Sequence, residues 1–292
     1  MRRRDALIGA GALGLAGVGT TYGLLSQMGS MKDYEGSVAA TRSALAALPE
    51  IRDLVRYATL APNGHNTQPW RFQVGESQIN IGPDLARRTP VVDPDDHHIF
   101  VSLGAAAENL AIASAARGRP GEASFSAAGD GSVAFVFGEE RAPEPALFDA
   151  ITRRQSTRAD YDGRTIAAAD LKILATVADT PGIDLVLITG RPQMDRVRDL
   201  VLAGNRSQLA DPAFVRELKS WIRFSPHQAM RTGDGLFAAA SGDPALPEWL
   251  GPSMFDVVFK VGAENDKYAK HTRSSAGIAV FAAKSADKAG WV

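Results

Sequence analysis

Between residues 51 and 58, Ile51, Leu54, Val55 and Ala58 recur at helical spacing. Pro49 and Glu50 suit a first turn and Pro62 forbids continuation, so one amphipathic helix ends at Ala61. Trp70, Phe72 and Val74 then alternate with polar residues, Gly75-Glu76-Ser77 makes a turn, and Ile79 and Ile81 alternate with Gln78 and Asn80. That pattern predicts a β-hairpin. A second helix is expected over 99–117, with Leu103, Ala107, Leu110, Ala111 and Ser114 on one face and Gly118 as its stop. Its many alanines point to close helix packing. Strands at 122–126 and 133–137, joined through Gly129-Asp130-Gly131, complete a first half.

Residues 139–145 are charged and carry two prolines, which reads as a connector between a first half at 45–138 and a second at 146–292. The second half opens with a short helix at 146–154 and another at 168–178, followed by a buried-type strand at 185–189. Helices at 194–209 and 212–222 come next. Residues 225–253 are rich in Gly, Pro and Ser and hold Phe237 and Trp249, the pattern of a long loop able to cover a site. A helix at 254–261 and an apolar strand at 278–282 are expected last. The chain ends at Trp291-Val292, where a Trp after a short polar turn would open another helix, so a final helix and strand are expected to be missing. The whole reads as a mixed α and β fold, with no residue-level repeat at a fixed period.

Composition changes this picture little and excludes much. The 292 residues are 45% hydrophobic and 22% charged with a formal net charge of -1, ordinary globular material with no overall basic field for nucleic acid. The absence of cysteine rules out disulfides, thiolate metal sites and cysteine nucleophiles. Residues 1–30 differ from the rest: Arg2, Arg3 and Arg4 precede a Gly- and Ala-rich apolar stretch from Ala6 to Leu25. This is similar to a twin-arginine export signal. No clean Ala-x-Ala site follows, and about 20 apolar residues can span a bilayer, so the expectation is either export or an envelope anchor, the alternative being a cytoplasmic tail. Gly9, Gly11 and Gly14 match a dinucleotide fingerprint in spacing only, since no strand precedes them.

Two stretches carry candidate chemistry. Ala61-Pro62-Asn63-Gly64-His65-Asn66-Thr67-Gln68-Pro69-Trp70 is rich in side-chain amides, whose paired donors and acceptors suit the edge of a flat heterocycle. An Asx-type turn into a strand is the alternative. Arg153, Arg154 and Arg158 surround Ser156, and such donors can form an anion site, each charge-assisted bond contributing about 1.5–3 kcal/mol. Here the alternative is a solvated basic helix end. Asp93, Asp95, Asp96, His97 and His98 could be drawn as a metal cluster but more often such residues cap the next helix, and no metal is expected. His65 reads as a turn residue, and no Gly-x-Ser-x-Gly elbow supports hydrolysis.

Taken together the two stretches resemble the FMN-binding nitroreductase superfamily. Arg154, Ser156 and Arg158 stand at the positions of its Arg-x-Ser-x-Lys/Arg motif. Pro62, Asn63, Gly64, Asn66, Gln68, Pro69 and Trp70 stand at those of Pro-Ser-x-x-Asn-x-Gln-Pro-Trp, with Asn63 and Gly64 in place of the usual serines. The motifs occur in reversed order. In that family they meet from two subunits, so the order is similar to a subgroup whose single chain folds as a pseudo-dimer. The resemblance covers most of residues 45–292 and implies an α+β nitroreductase-like fold, with an antiparallel-rich mixed sheet, flanking helices and two halves around one FMN. It implies Arg154 and Ser156 at the phosphate, Arg158 near flavin N1, and Pro62, Asn63, Asn66 and Gln68 approaching from the other half. No side chain need be catalytic. The implied activity is electron transfer from NAD(P)H to a quinone or nitroaromatic acceptor by a monomer, with FMN sequestration beneath a lid as the alternative.

Overall fold

The computed structural model describes residues 28–43, 50–138, 147–177 and 181–292. The expected export segment up to residue 27 and the connector at 139–145 lie outside them. In chain order the helices and strands are α1 (Met31–Arg42), α2 (Ile51–Ala58), β1 (Trp70–Val74), β2 (Gln78–Pro83), α3 (His97–Ala116), β3 (Gly121–Ser126) and β4 (Ser132–Phe137). There follow α4 (Phe148–Arg153), α5 (Ala168–Val177), β5 (Ile183–Ile188), α6 (Arg191–Ala210), α7 (Pro212–Trp221), β6 (Ile222–Arg223), α8 (Pro226–Thr232) and β7 (Leu236–Phe237). The last are α9 (Gly251–Val258), α10 (Val261–Ser274), β8 (Ile278–Ala283) and α11 (Lys288–Trp291). The described residues fall into two compact units, one from within 41–220 and 259–292, the other from within 1–40 and 221–258.

The larger unit is built on a four-stranded antiparallel sheet in the order β1-β2-β4-β3. Alternation decides its buried face: Ile79 pairs with Phe135 and Ile81 with Val133, and all four are buried to the last percent or so. Against that face lies α3, presenting Phe100, Leu103, Ala106, Ala107 and Leu110. Helix α2 packs along α3 through Leu54, Tyr57 and Ala58. At its start the Asp53 carboxylate accepts from the Glu50 N–H at 3.0 Å, which supplies a partner for a donor the helix itself leaves open. Helix α3 is long and apolar enough to cross a bilayer by composition, yet half of it is buried against these neighbours, the mark of a core helix.

Two later segments return to the same core. Helix α4 inserts Phe148 and Ile151, with the Phe148 ring 5.1 Å from that of Tyr57 and the Arg117 guanidinium 4.8 Å over its face. Helix α11 lies on α3, where the Trp291 and His97 rings are 5.0 Å apart and the Lys288 ammonium sits 4.7 Å from the Phe100 ring. The approach depends on Gly104, because a Cβ there would meet the Val292 carbonyl oxygen at 2.0 Å.

The rest of this unit is an antiparallel ribbon of β5 and β8, with Val186 opposite Val280 and Leu185 opposite Phe281, and the helix pair α6 and α10. The Arg191 guanidinium donates to the Thr272 and Ser275 carbonyls at 3.3 and 3.1 Å, tying the start of α6 to the end of α10. The smaller unit pairs β6 with β7 in parallel, packs the Tyr34 ring 4.5 Å from that of Phe237, and buries an Arg223–Asp234 ion pair at 2.6 Å.

The sheet and α3 lie within a residue or two of their sequence-based bounds. The expected long loop at 225–253 does not hold. Ser225 instead accepts from the Gln228 N–H at 3.0 Å as a helix cap, Pro226 fills the first turn of α8, and Gly233 closes it in a left-handed conformation. Residues that read as loop punctuation are the caps of a short helix. Helix α10 was not anticipated either, because its charged sequence offers few apolar positions to mark a period.

Leu103 is fully buried at the middle of α3. Replacing it with Ala is expected to cost about 2–5 kcal/mol, read as a shift in the urea midpoint without a change in slope.

Candidate functional site

The amide-rich stretch leaves α2 through a tight turn and enters β1 at Trp70. Thr67, Pro69 and Trp70 are buried, which fixes its exit. Between them the backbone takes three left-handed residues in four, His65, Asn66 and Gln68 at φ of 49°, 51° and 55°. Asn and His tolerate that region better than other side chains, while Gln68 carries strain of order 1–3 kcal/mol. Asn63 makes the shape possible: its Oδ1 accepts from the Gln68 N–H at 2.9 Å and its Nδ2 donates to the Ala61 carbonyl at 3.2 Å. Gln68 Nε2 in turn donates to Asn66 Oδ1 at 2.7 Å. Asn63 thus braces the loop through a bond to the backbone five residues on, a longer span than the two residues of an Asx-turn. Asn66 and Gln68 face one another across it. Arg87 Nη1 donates to the Thr67 carbonyl at 3.0 Å and holds the loop from outside.

The basic stretch begins where α4 ends, and because Phe148 and Ile151 anchor that helix in the core, Arg154 is delivered to the end of α2. Its Nη2 donates to the Leu60 carbonyl at 2.8 Å, two residues before Pro62. Arg154 is therefore bonded to the residue just before the amide-rich stretch. Arg154 Nε is buried without a hydrogen-bond partner. Burial, and secondarily the charge of Arg42, pushes the Arg154 guanidinium below its ordinary basicity. Arg42, near the end of α1, donates through Nη1 to the Thr152 carbonyl at 3.4 Å and more closely to that of Arg154. Among the described residues no carboxylate bonds to either arginine. Ser156 and Arg158 are exposed.

Around His65 gather charges from three other segments. Burial lowers its pKa first, Arg158 and His98 lower it further, and Glu217 on α7 opposes them. Glu217 also accepts from the Val91 and Val92 N–H groups, both at 3.0 Å, pinning the turn before α3. The acidic residues before α3 act within that turn. Asp93 is buried, accepts from the His98 N–H at 2.9 Å and faces His98 Nδ1 at 3.2 Å, while Asp96 pairs with Arg88 at 3.0 Å.

Sequence reasoning missed Arg42 and Glu217. Neither stands in a motif, and each matters through a partner more than a hundred residues away. No short spacing could have announced them.

No protein-family profile matches the chain. It is 26% identical over 205 residues to a Mycobacterium tuberculosis (strain H37Rv) protein named "Putative NAD(P)H nitroreductase", covering 68% of this chain and 55% of the relative. The counterpart from strain CDC 1551 gives the same figures. An uncharacterised protein of the latter strain is 25% identical over 191 residues, 63% of this chain and 26% of the relative. The chain thus spans about half the length of the first two relatives. This distant similarity supports the nitroreductase superfamily, and an α+β fold with an antiparallel sheet and flanking helices is compatible with it.

The depressed pKa of His65 carries a signed consequence. The unfolded chain takes up a proton near its ordinary value of about 6.5, and the folded chain only at lower pH. The contribution is therefore complete above pH about 6.5 and is lost as pH falls from there through the folded value. Urea midpoints measured across that range should fall more steeply for the native protein than for His65→Gln, and parallel slopes would show that His65 titrates as if unfolded.

Proposed function

We propose that this chain is an NAD(P)H-dependent flavin oxidoreductase whose segments 62–68 and 154–158 bind the two sides of one FMN, the two halves acting as an intramolecular pseudo-dimer. The observation that carries the reading is the Arg154–Leu60 contact, because it makes neighbours of two motifs that lie far apart in sequence.

The donor set fits a phosphate monoester. A half-buried guanidinium with an unpaired Nε, next to a second guanidinium and without a bonded carboxylate among the described residues, is a site with surplus positive charge. Burying charge without a counterion costs free energy, and a dianion relieves that cost. When bound, the flavin would accept hydride from NAD(P)H and pass electrons to a flat acceptor of the quinone or nitroaromatic class. The protein's own residues bind and orient. Arg154 and the Ser156 hydroxyl would hold the phosphate. Arg158 would set a positive charge beside the ring edge, where a fixed cation favours the reduced anionic form. Asn66 and Gln68 would offer amide donors and acceptors to the ring or ribityl chain, on a loop that Asn63 and Pro62 shape. His65, kept neutral by burial and by Arg158, adds no competing charge. Export or anchoring through residues 1–30 is part of the same proposal.

Equilibrium titration of the purified chain with FMN, followed by flavin fluorescence, tests the binding half. Arg154→Ala should weaken affinity by about 10- to 100-fold, the loss of one or two charge-assisted hydrogen bonds. Unaltered affinity would remove Arg154 from the site. Anaerobic NADPH should then bleach the yellow complex, whereas a complex that stays yellow would mark a protein that sequesters FMN without turnover.

A further inference from the structure

Arg42 has a local structural duty that does not exhaust it. Its Nη1 satisfies the Thr152 and Arg154 carbonyls at the carboxy-terminal end of α4, where a cation also meets the negative end of the helix dipole. A guanidinium has five N–H donors, and the described residues show bonds from this nitrogen alone. Beside it Arg154 keeps a buried, unpaired Nε. Two cations thus sit together, partly removed from water, on the turn that leads into Ser156, and neither is bonded to a carboxylate among the described residues. A cap alone would need one charge. A pair of like charges at one turn is costly unless something doubly negative joins them.

We infer that Arg42 is a second cation of an anion subsite shared with Arg154 and that the subsite takes the dianionic end of a phosphate monoester. The inference rests on the flavin reading and deepens it, since it assigns the 5′-phosphate two guanidinium partners, one from before α2 and one from after α4. Arg42 would serve twice. It holds the Arg154 carbonyl, and so the start of the Arg154–Ser156 turn, and it contributes charge to the ligand.

Riboflavin lacks the phosphate and separates these roles. Fluorescence titrations of the full chain with FMN and with riboflavin should show that the native protein prefers FMN by about 100-fold or more. Arg42→Gln removes the charge and leaves a shorter side chain that still carries an amide donor, and it should reduce that preference by about tenfold while leaving riboflavin affinity unchanged. Arg42→Lys should hold the preference to within about threefold of native. Inorganic phosphate should compete with FMN in the native protein and compete less in Arg42→Gln, which distinguishes a general phosphate subsite from contacts that need the whole cofactor. An Arg42→Gln variant that melts like the native protein and keeps the full preference would reduce Arg42 to a helix cap and overturn the inference. Its failure is separable from that of the flavin reading: if the native protein itself does not distinguish FMN from riboflavin, or if Arg154→Ala leaves the preference intact, the phosphate assignment falls, and Arg42 with it.

Discussion

Helix α3 has more apolar surface than one neighbour could cover, and the burial of that surface organises the larger unit. The sheet takes one side through Ile79, Ile81, Val133 and Phe135, α2 takes another, and α4 and α11 close what remains. Each partner arrives from a different part of the sequence. Apolar burial is non-directional and proportional to area, so it brings segments together without specifying polar contacts. The polar contacts of the candidate site follow from where that burial leaves the ends of the helices. Arg154 reaches Leu60 because α4 is held by Phe148 and Ile151, and Asn63 shapes the loop that follows once α2 has ended at Ala58.

Electrostatics in this region is unbalanced in an informative way. Several of the described arginines meet carboxylates: Arg71 and Arg87 meet Asp84, Arg88 meets Asp96, and Arg223 meets Asp234. At the end of α4 they meet backbone carbonyls instead. A carbonyl satisfies a donor but does not cancel a charge, and burial, with the charge of Arg42 second, lowers the basicity of Arg154. Glu217 provides the contrast nearby, where its carboxylate is occupied by two backbone N–H groups and also draws against the depression at His65.

Much of this was legible from residue order. Period-two alternation located β1, β2 and β4, and period 3.6 located α2 and α3, because each of these elements is half buried and the pattern records which half. Both chemical stretches were also visible, since amides and arginines at short spacing are local signals. What sequence could not supply was their meeting point. The carbonyl of Leu60 carries no side-chain signature, and the loop-bracing role of Asn63 depends on left-handed backbone at positions where no glycine advertises it. Residues 225–253 failed for a related reason. Ser-Pro and Gly punctuate loops and helix ends alike, and only the Gln228 N–H bonded to Ser225 distinguishes the two.

The close seat of Val292 over Gly104 has a temporal side. As the chain leaves the ribosome, α3 and all four strands of its sheet emerge well before Lys288, a lag of roughly ten to thirty seconds at ordinary synthesis speeds. Through that interval the notch at Gly104 stands without the Val292 carbonyl that fills it, and the Phe100 ring without the Lys288 ammonium beside it.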